Sequence, residues 1–226
     1  MFTRLKFFSS SVGTKILIAC TGLALFLFLI AHLIGNLLLF VGPDTFNGYS
    51  HKLISNPLIY VAEAGLIILF VLHVFKAVTN WASNRSARPA GYAEKQNAGH
   101  TSRKSVASSW MIWTGAVTFV FVVLHLKTFK YGPWYEIDHD GVMMRDLYRL
   151  TLEVFQSPVY TAGYVVCMAL LFLHLRHGLS SAMQSLGVNH PKYNRGILRA
   201  GTIIAILIGA GFSVVPLVIF FSGGRS

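Results

Sequence analysis

Charge is scarce in this chain. Only 12% of its 226 residues are Asp, Glu, Lys or Arg, while 54% are hydrophobic; a water-soluble domain carries roughly 25% charged residues. That composition excludes an ordinary soluble globular protein. Acids are scarcer still, eight Asp and Glu against nineteen Lys and Arg. Cysteine is nearly missing. Cys20 and Cys167 both fall inside apolar stretches and read as small buried hydrophobes. An iron–sulfur cluster usually takes four thiolates, so the chain holds none by itself. Neither a GxGxxG nor a P-loop pattern occurs, which removes the nucleotide sites those motifs build. Any redox chemistry here must use a cofactor held by other ligands.

What the sequence does contain is five long apolar runs, about 13–41, 58–82, 107–130, 158–184 and 197–221. Each exceeds the roughly 20 residues that cross a bilayer as a helix. The first is too long for a signal h-region and shows no small-residue cleavage site, so it is expected to remain in the mature protein. The expected fold class is all-α: an integral membrane protein with five transmembrane helices, forming one domain over residues 1–226. Pro57 and Pro158 stand at first-turn positions of the second and fourth helices. Glycines within 205–215 permit close packing of the fifth. The polar stretch 83–106 reads as a surface loop. In the longer loop 131–157, "GVMMRDLYRLTLEVF" has helical spacing and is expected to form a short surface helix.

The net charge of +11 is explained by topology. With the N-terminus cytoplasmic, one side carries Arg4, Lys6, Lys15, Arg85, Arg88, Lys95, Arg103, Lys104, Lys192, Arg195 and Arg199 against the single acid Glu94. The other side carries Lys52, Arg145, Arg149 and Arg225 with Asp44, Glu136, Asp138, Asp140, Asp146 and Glu153. This positive-inside bias orients the chain with its N-terminus in and its C-terminus out. Trp81, Trp110 and Trp113 inside and Trp134 outside fit an interfacial belt. No nucleic-acid partner is expected.

Helices one to four each carry one deep histidine: His32, His73, His125 and His174. The fifth carries none. Each lies roughly 23–29 Å along its own helix. Consecutive helices run in opposite directions, so His32 and His125 are expected near the outer face and His73 and His174 near the inner face. Two imidazoles facing each other across a four-helix bundle are what axial ligation of a haem requires. The second ring nitrogen of each would donate to a neighbouring polar group. Taken singly, each histidine is also explained by a hydrogen bond to a neighbouring helix; four in two matched layers favour two haems. A zinc centre is disfavoured, because catalytic zinc gathers three protein ligands in one place. His177, with Arg176 and Lys76, is a candidate for neutralising haem propionates, the alternative being interfacial snorkelling. His51, His100, His139 and His190 are expected in solvated loops.

Glu63 is the one acid inside an expected membrane helix. An intramembrane carboxylate is a functional candidate, and quinone chemistry needs a group that exchanges protons. A structural carboxylate bonded to a neighbouring helix is the alternative. Lys127 and Lys130, at the outer end of helix three, are read as interface markers.

In these histidine contexts the sequence resembles a known family. The block "AHLIGNLLLFVGPDTFNGYSHKL" after helix one and "HLRHGLSSAMQSLG" at the end of helix four are its most specific parts. The family is the di-haem cytochrome b membrane anchor of succinate:quinone oxidoreductases, the type with five helices in one chain. The resemblance implies two haem b groups, with His73 and His174 on the haem nearer the dehydrogenase and His32 and His125 on the farther one. It implies flavoprotein and iron–sulfur subunits on the cytoplasmic side of a bacterial inner membrane, and menaquinone rather than ubiquinone as substrate. It also suggests that Glu63 serves quinone at the distal haem. Iron layers on the order of 15–20 Å apart follow from helix rise and bilayer thickness. Charge crossing the full membrane couples to its potential at about 2.3 kcal/mol per 100 mV. Two other readings stay open: the cytochrome b subunit of a hydrogenase, formate dehydrogenase or ferric reductase, and a transporter or structural anchor with protonating histidines.

Overall fold

The computed structural model describes residues 10–87 and 106–223. Arg4, Lys6, Arg88, Glu94, Lys95, His100, Arg103, Lys104 and Arg225 lie outside them, as does most of the expected loop 83–106. The chain is an all-α integral membrane protein, with one small hairpin. Five helical segments are long and apolar enough to span a bilayer: Ser11–Phe40, Leu58–Ser86, Met111–Lys130, Pro158–Ser185 and Pro191–Phe221.

In chain order the helices are α1 (Ser11–Leu37, continued by a 3-10 turn Leu38–Phe40), α2 (Pro43–Ile54) and α3 (Leu58–Ser86). After them come the single turn α4 (Val106–Ser109) and α5 (Met111–His125), which passes into a π-helical turn over Leu126–Lys130. A hairpin of β1 (Glu136–His139) and β2 (Val142–Arg145) precedes α6 (Leu147–Gln156), α7 (Pro158–Ser185) and α8 (Pro191–Phe221). The spans differ from expectation mainly at their polar ends. Helix α3 runs to Ser86, and α8 begins at Pro191 instead of 197. Asn194 Oδ1 accepts from the His190 backbone N–H at 3.0 Å, and the His190 ring accepts from the Lys192 N–H at 3.2 Å. These polar caps continue a helix past the point where hydropathy ends it.

Two corrections concern the segments between spans. The stretch 141–155 is not one helix: Val142–Arg145 pairs antiparallel with Glu136–His139, and α6 starts only at Leu147. Asp140 and Gly141 both have positive φ, 54° and 79°, the two-residue turn that suits a twisted hairpin. Gly141 N–H donates to Asp138 Oδ1 at 2.8 Å and ties the turn. Asp146 then caps α6 by accepting from Arg149 N–H at 3.0 Å. The second correction is α2, an element the hydropathy reading passes over. Pro43 opens it, Asp44 lies in its first turn, and His51 and Lys52 lie in its last, each favourable for the helix dipole.

The described residues form two compact units. The first comprises the described parts of Met1–Leu27, Leu66–Gly115 and Leu173–Ala205; the second comprises those of Phe28–Gly65, Ala116–Phe172 and Ile206–Ser226. In the first unit, Ala19, Thr21, Thr114, Leu175, Ala182 and Ala205 are buried. Mostly small residues here let helices approach closely. The second unit has a larger core of Leu39, Phe46, Tyr148, Phe155, Val215 and Ile219. The glycines of α8 pack as expected: a Cβ at Gly209 would meet Phe172 Cβ at 3.1 Å, and one at Gly211 would meet Leu33 Cδ2 at 2.8 Å. Large apolar side chains elsewhere on the spans are exposed, among them Leu27, Ile34, Ile67, Ile68 and Val71, as a lipid-facing surface requires. Cys20 corrects an expectation, being exposed where burial was anticipated; Cys167 is half-buried.

The polar segments of the second unit are locked by Asn47, which is 2% exposed. Its Nδ2 donates to Asp146 Oδ1 at 2.8 Å, and its Oδ1 accepts from Tyr148 N–H at 2.9 Å. Buried Arg145 lies 4.9 Å over the Trp134 ring and donates to the Pro133 carbonyl at 3.0 Å; burial pushes its guanidinium below its ordinary value. Substituting Asn47→Ala removes the hydrogen bond that Tyr148 N–H gives to Asn47 and the one that Asn47 gives to Asp146 Oδ1, which keeps only the Arg149 N–H. A loss of about 1–3 kcal/mol is expected, read as a lower thermal midpoint in detergent; an unchanged midpoint would contradict this account of the cap.

Candidate functional site

The four span histidines fall two to each unit. The second unit contains His32 and His125, whose ring centroids are 5.8 Å apart with planes at 89°. Each ring packs on a phenylalanine one turn earlier in its own helix, Phe28 against His32 at 5.3 Å and Phe121 against His125 at 5.7 Å. Residues i and i+4 share a helix face, so each Phe stiffens the imidazole above it. Phe212 of α8 closes on His32 at 5.8 Å. The π turn beginning one residue after His125 carries Phe129 to 5.2 Å from its ring; such turns cluster at functional sites. His125 Nδ1 lies 3.2 Å from Tyr164 Oη, and the Tyr164 ring is wedged between Phe121 and Phe155, 4.9 Å from each.

The first unit contains His73 and His174, and there each ring has a threonine hydroxyl at Nδ1. Thr21 Oγ1 donates to the Leu17 carbonyl at 2.7 Å and lies 3.1 Å from His73 Nδ1. Thr114 Oγ1 donates within its own helix, to the Met111 carbonyl at 3.1 Å, and lies 3.2 Å from His174 Nδ1. A hydroxyl has one proton. Assigning that proton to the carbonyl of its own helix makes each threonine the acceptor and each Nδ1–H the donor. This assignment follows from the network. It leaves Nε2 of both rings with the lone pair that a metal needs.

Beside each threonine is a glycine that makes room for the ring. A Cβ on Gly22 would stand 3.0 Å from His73 Cε1, and one on Gly115 would stand 3.3 Å from His174 Cε1.

The remaining candidates are placed as follows. Arg176 and His177 sit in the turn after His174 on α7, and Lys76 in the turn after His73 on α3, all half-buried. Glu63 forms an ion pair with Lys130, each side chain 37% exposed. Lys130, read as an interface marker, therefore has a carboxylate partner on another span. Two loop histidines lie on elements instead, His51 in α2 and His139 in β1, while His190 is exposed in the loop just before α8, as expected. His139 Nδ1 is 3.4 Å from Asp44 Oδ1. No group of three or more His, Cys, Asp or Glu converges on a metal position among the described residues.

Sequence reasoning missed Thr21, Gly22, Thr114, Gly115 and Tyr164. A signal was there. Residues 21–33, "TGLALFLFLIAHL", and 114–126, "TGAVTFVFVVLHL", share the pattern TG-x3-F-x-F-x3-HL.

A comparison with curated proteins finds a likeness along most of the chain. The succinate dehydrogenase cytochrome b558 subunit of Bacillus subtilis (strain 168) is 24% identical over 200 residues, covering 87% of this chain and 88% of the relative. No protein-family model matches the chain, and no solved structure matches it.

Gly22→Ala and Gly115→Ala each drive a methyl group against a histidine ring. Each is expected to cost about 1–3 kcal/mol in detergent unfolding. Gly65→Ala and Gly163→Ala, where nothing lies within 4 Å of the added Cβ, should be neutral or stabilising by up to about 1 kcal/mol. Equal effects at all four positions would contradict the cradle.

Proposed function

We propose that this chain is the membrane anchor and electron-transfer subunit of a succinate:quinone oxidoreductase, a single cytochrome b domain carrying electrons between a partner iron–sulfur subunit and membrane quinone. The observation that carries the proposal is the facing pair His32 and His125. A metal bonded to one nitrogen of each imidazole at about 2 Å holds the two ring centroids about 6 Å apart, and here they are 5.8 Å apart with perpendicular planes. The donor set suits haem iron, which takes axial histidine. With the Nδ1–H tautomer, His73 and His174 offer Nε2 in the same way. Two haem b groups would supply one-electron transfer. The likeness to a cytochrome b558 subunit over 87% of the chain supports this reading over other redox anchors.

The chain's own residues then divide the work. His32 and His125 would hold the outer haem, with Tyr164 hydrogen-bonded to His125 Nδ1. His73 and His174 hold the inner one, while His177, Arg176 and Lys76 are placed to balance propionate charge. Glu63, paired with Lys130, is the proton-exchanging candidate at the outer quinone site. The charge bias favours a cytoplasmic N-terminus; the family resemblance implies flavoprotein and iron–sulfur partners on that same side of a bacterial inner membrane, with menaquinone as the quinone.

The test is purification of the complex from its native membrane, identification of its subunits, and assay of succinate-dependent quinone reduction. Flavoprotein and iron–sulfur subunits with that activity are expected. Co-purification with hydrogenase or formate dehydrogenase subunits would contradict the proposal. In the same complex, His32→Ala or His125→Ala should remove one reduced-minus-oxidised haem signal, and His73→Ala or His174→Ala the other. Loss of the same signal from a His32 and a His73 variant would contradict the pairing.

A further inference from the structure

The repeated segments on α1 and α5 do two jobs each. From Thr21 to His32 and from Thr114 to His125 is eleven residues, close to three helical turns. The threonine and the histidine therefore share one face of their helix. In each copy the Thr–Gly step receives a histidine from the next long span, His73 on α3 and His174 on α7. Both rings meet the same hydroxyl acceptor at the same nitrogen, and both threonines are buried, 4% and 2% exposed. The other pair lacks this symmetry. His125 bonds Tyr164, ten residues before His174 on α7. The position ten residues before His73 on α3 is Glu63, which bonds Lys130.

We infer that Thr21 and Thr114 are positioning residues that set the redox potential of the haem held by His73 and His174. The inference rests on the proposed function above. A donor Nδ1–H engaged by an oxygen makes the imidazole a stronger base through Nε2. A stronger axial base favours ferric over ferrous iron, and second-shell hydrogen bonding is one of the protein's levers on haem potential. The two threonines act on one iron from both sides, so they lower its potential together. A duplicated segment thereby makes the two ligands of the inner haem equivalent while leaving the outer pair unequal.

The test uses the purified complex in a redox titration that follows both haem signals, with Thr21→Ser, Thr21→Cys and Thr21→Val and the same series at Thr114. Serine keeps the acceptor, cysteine weakens it and valine deletes it. With valine, the ratio of reduced to oxidised inner haem at a fixed ambient potential is expected to rise about threefold or more per lost acceptor, the worth of one hydrogen bond. Serine should match the wild type and cysteine should fall between, with the outer haem unmoved throughout. An inner midpoint that stays fixed in the valine variants, or that serine shifts as far as valine, overturns the inference. If a valine variant assembles without the inner haem, the serine and cysteine chains decide: a shift with cysteine alone supports the inference, and no shift with either overturns it. A wild-type complex lacking two haem signals would strike the proposed function itself, before any variant is titrated.

Discussion

An imidazole inside a hydrocarbon layer keeps its place only if both of its ring nitrogens are satisfied, because an unpaired polar group costs several kcal/mol there. Four spans of this chain each carry such a ring, and much of the surrounding structure follows from that demand. On three of them Nδ1 has an oxygen partner: Thr21 for His73, Thr114 for His174 and Tyr164 for His125. The residues chosen are those that can approach closely or present a hydroxyl without adding charge. Under the proposed function, the nitrogens turned the other way would bind haem iron.

The segments outside the spans serve the same end. Phe155 of α6 is 4% exposed and belongs to the core that Asn47, Asp146 and Tyr148 tie together. It also packs at 4.9 Å on Tyr164, the partner of His125. The π turn after His125 delivers Phe129 to both Phe155 and His125. A hydrogen bond at one ring nitrogen is thus braced by a soluble cap whose core is aromatic. On the polar surface, Arg149 and then Tyr135 hold the Glu153 carboxyl below the usual carboxylate range by hydrogen bonding; so exposed a group contributes little to stability.

The five spans, the four histidines and their division into two pairs are all visible in the sequence, because hydropathy, chain reversal and a fixed rise per residue determine them. The polar first turn of α8 is not, since Lys192, Asn194 and Arg195 carry no apolar signal even though His190 and Asn194 cap the helix. The hairpin was legible at Asp140–Gly141 but was overridden by the helical spacing of the residues that follow. Helix α2 is too short and polar for a hydropathy reading. Thr21 and Gly22 are inconspicuous within an apolar run, and become meaningful only when α1 is laid beside α5. The Glu63–Lys130 pair joins residues 67 apart, and no local pattern announces it.

The most direct measurement of the central claim is the number of haem groups per chain. Extraction of the purified protein's porphyrin, assayed as its pyridine complex against an independent protein quantification, should give two haem b per polypeptide. One haem, or none, would mean that the facing histidines are not two axial pairs and would contradict the account.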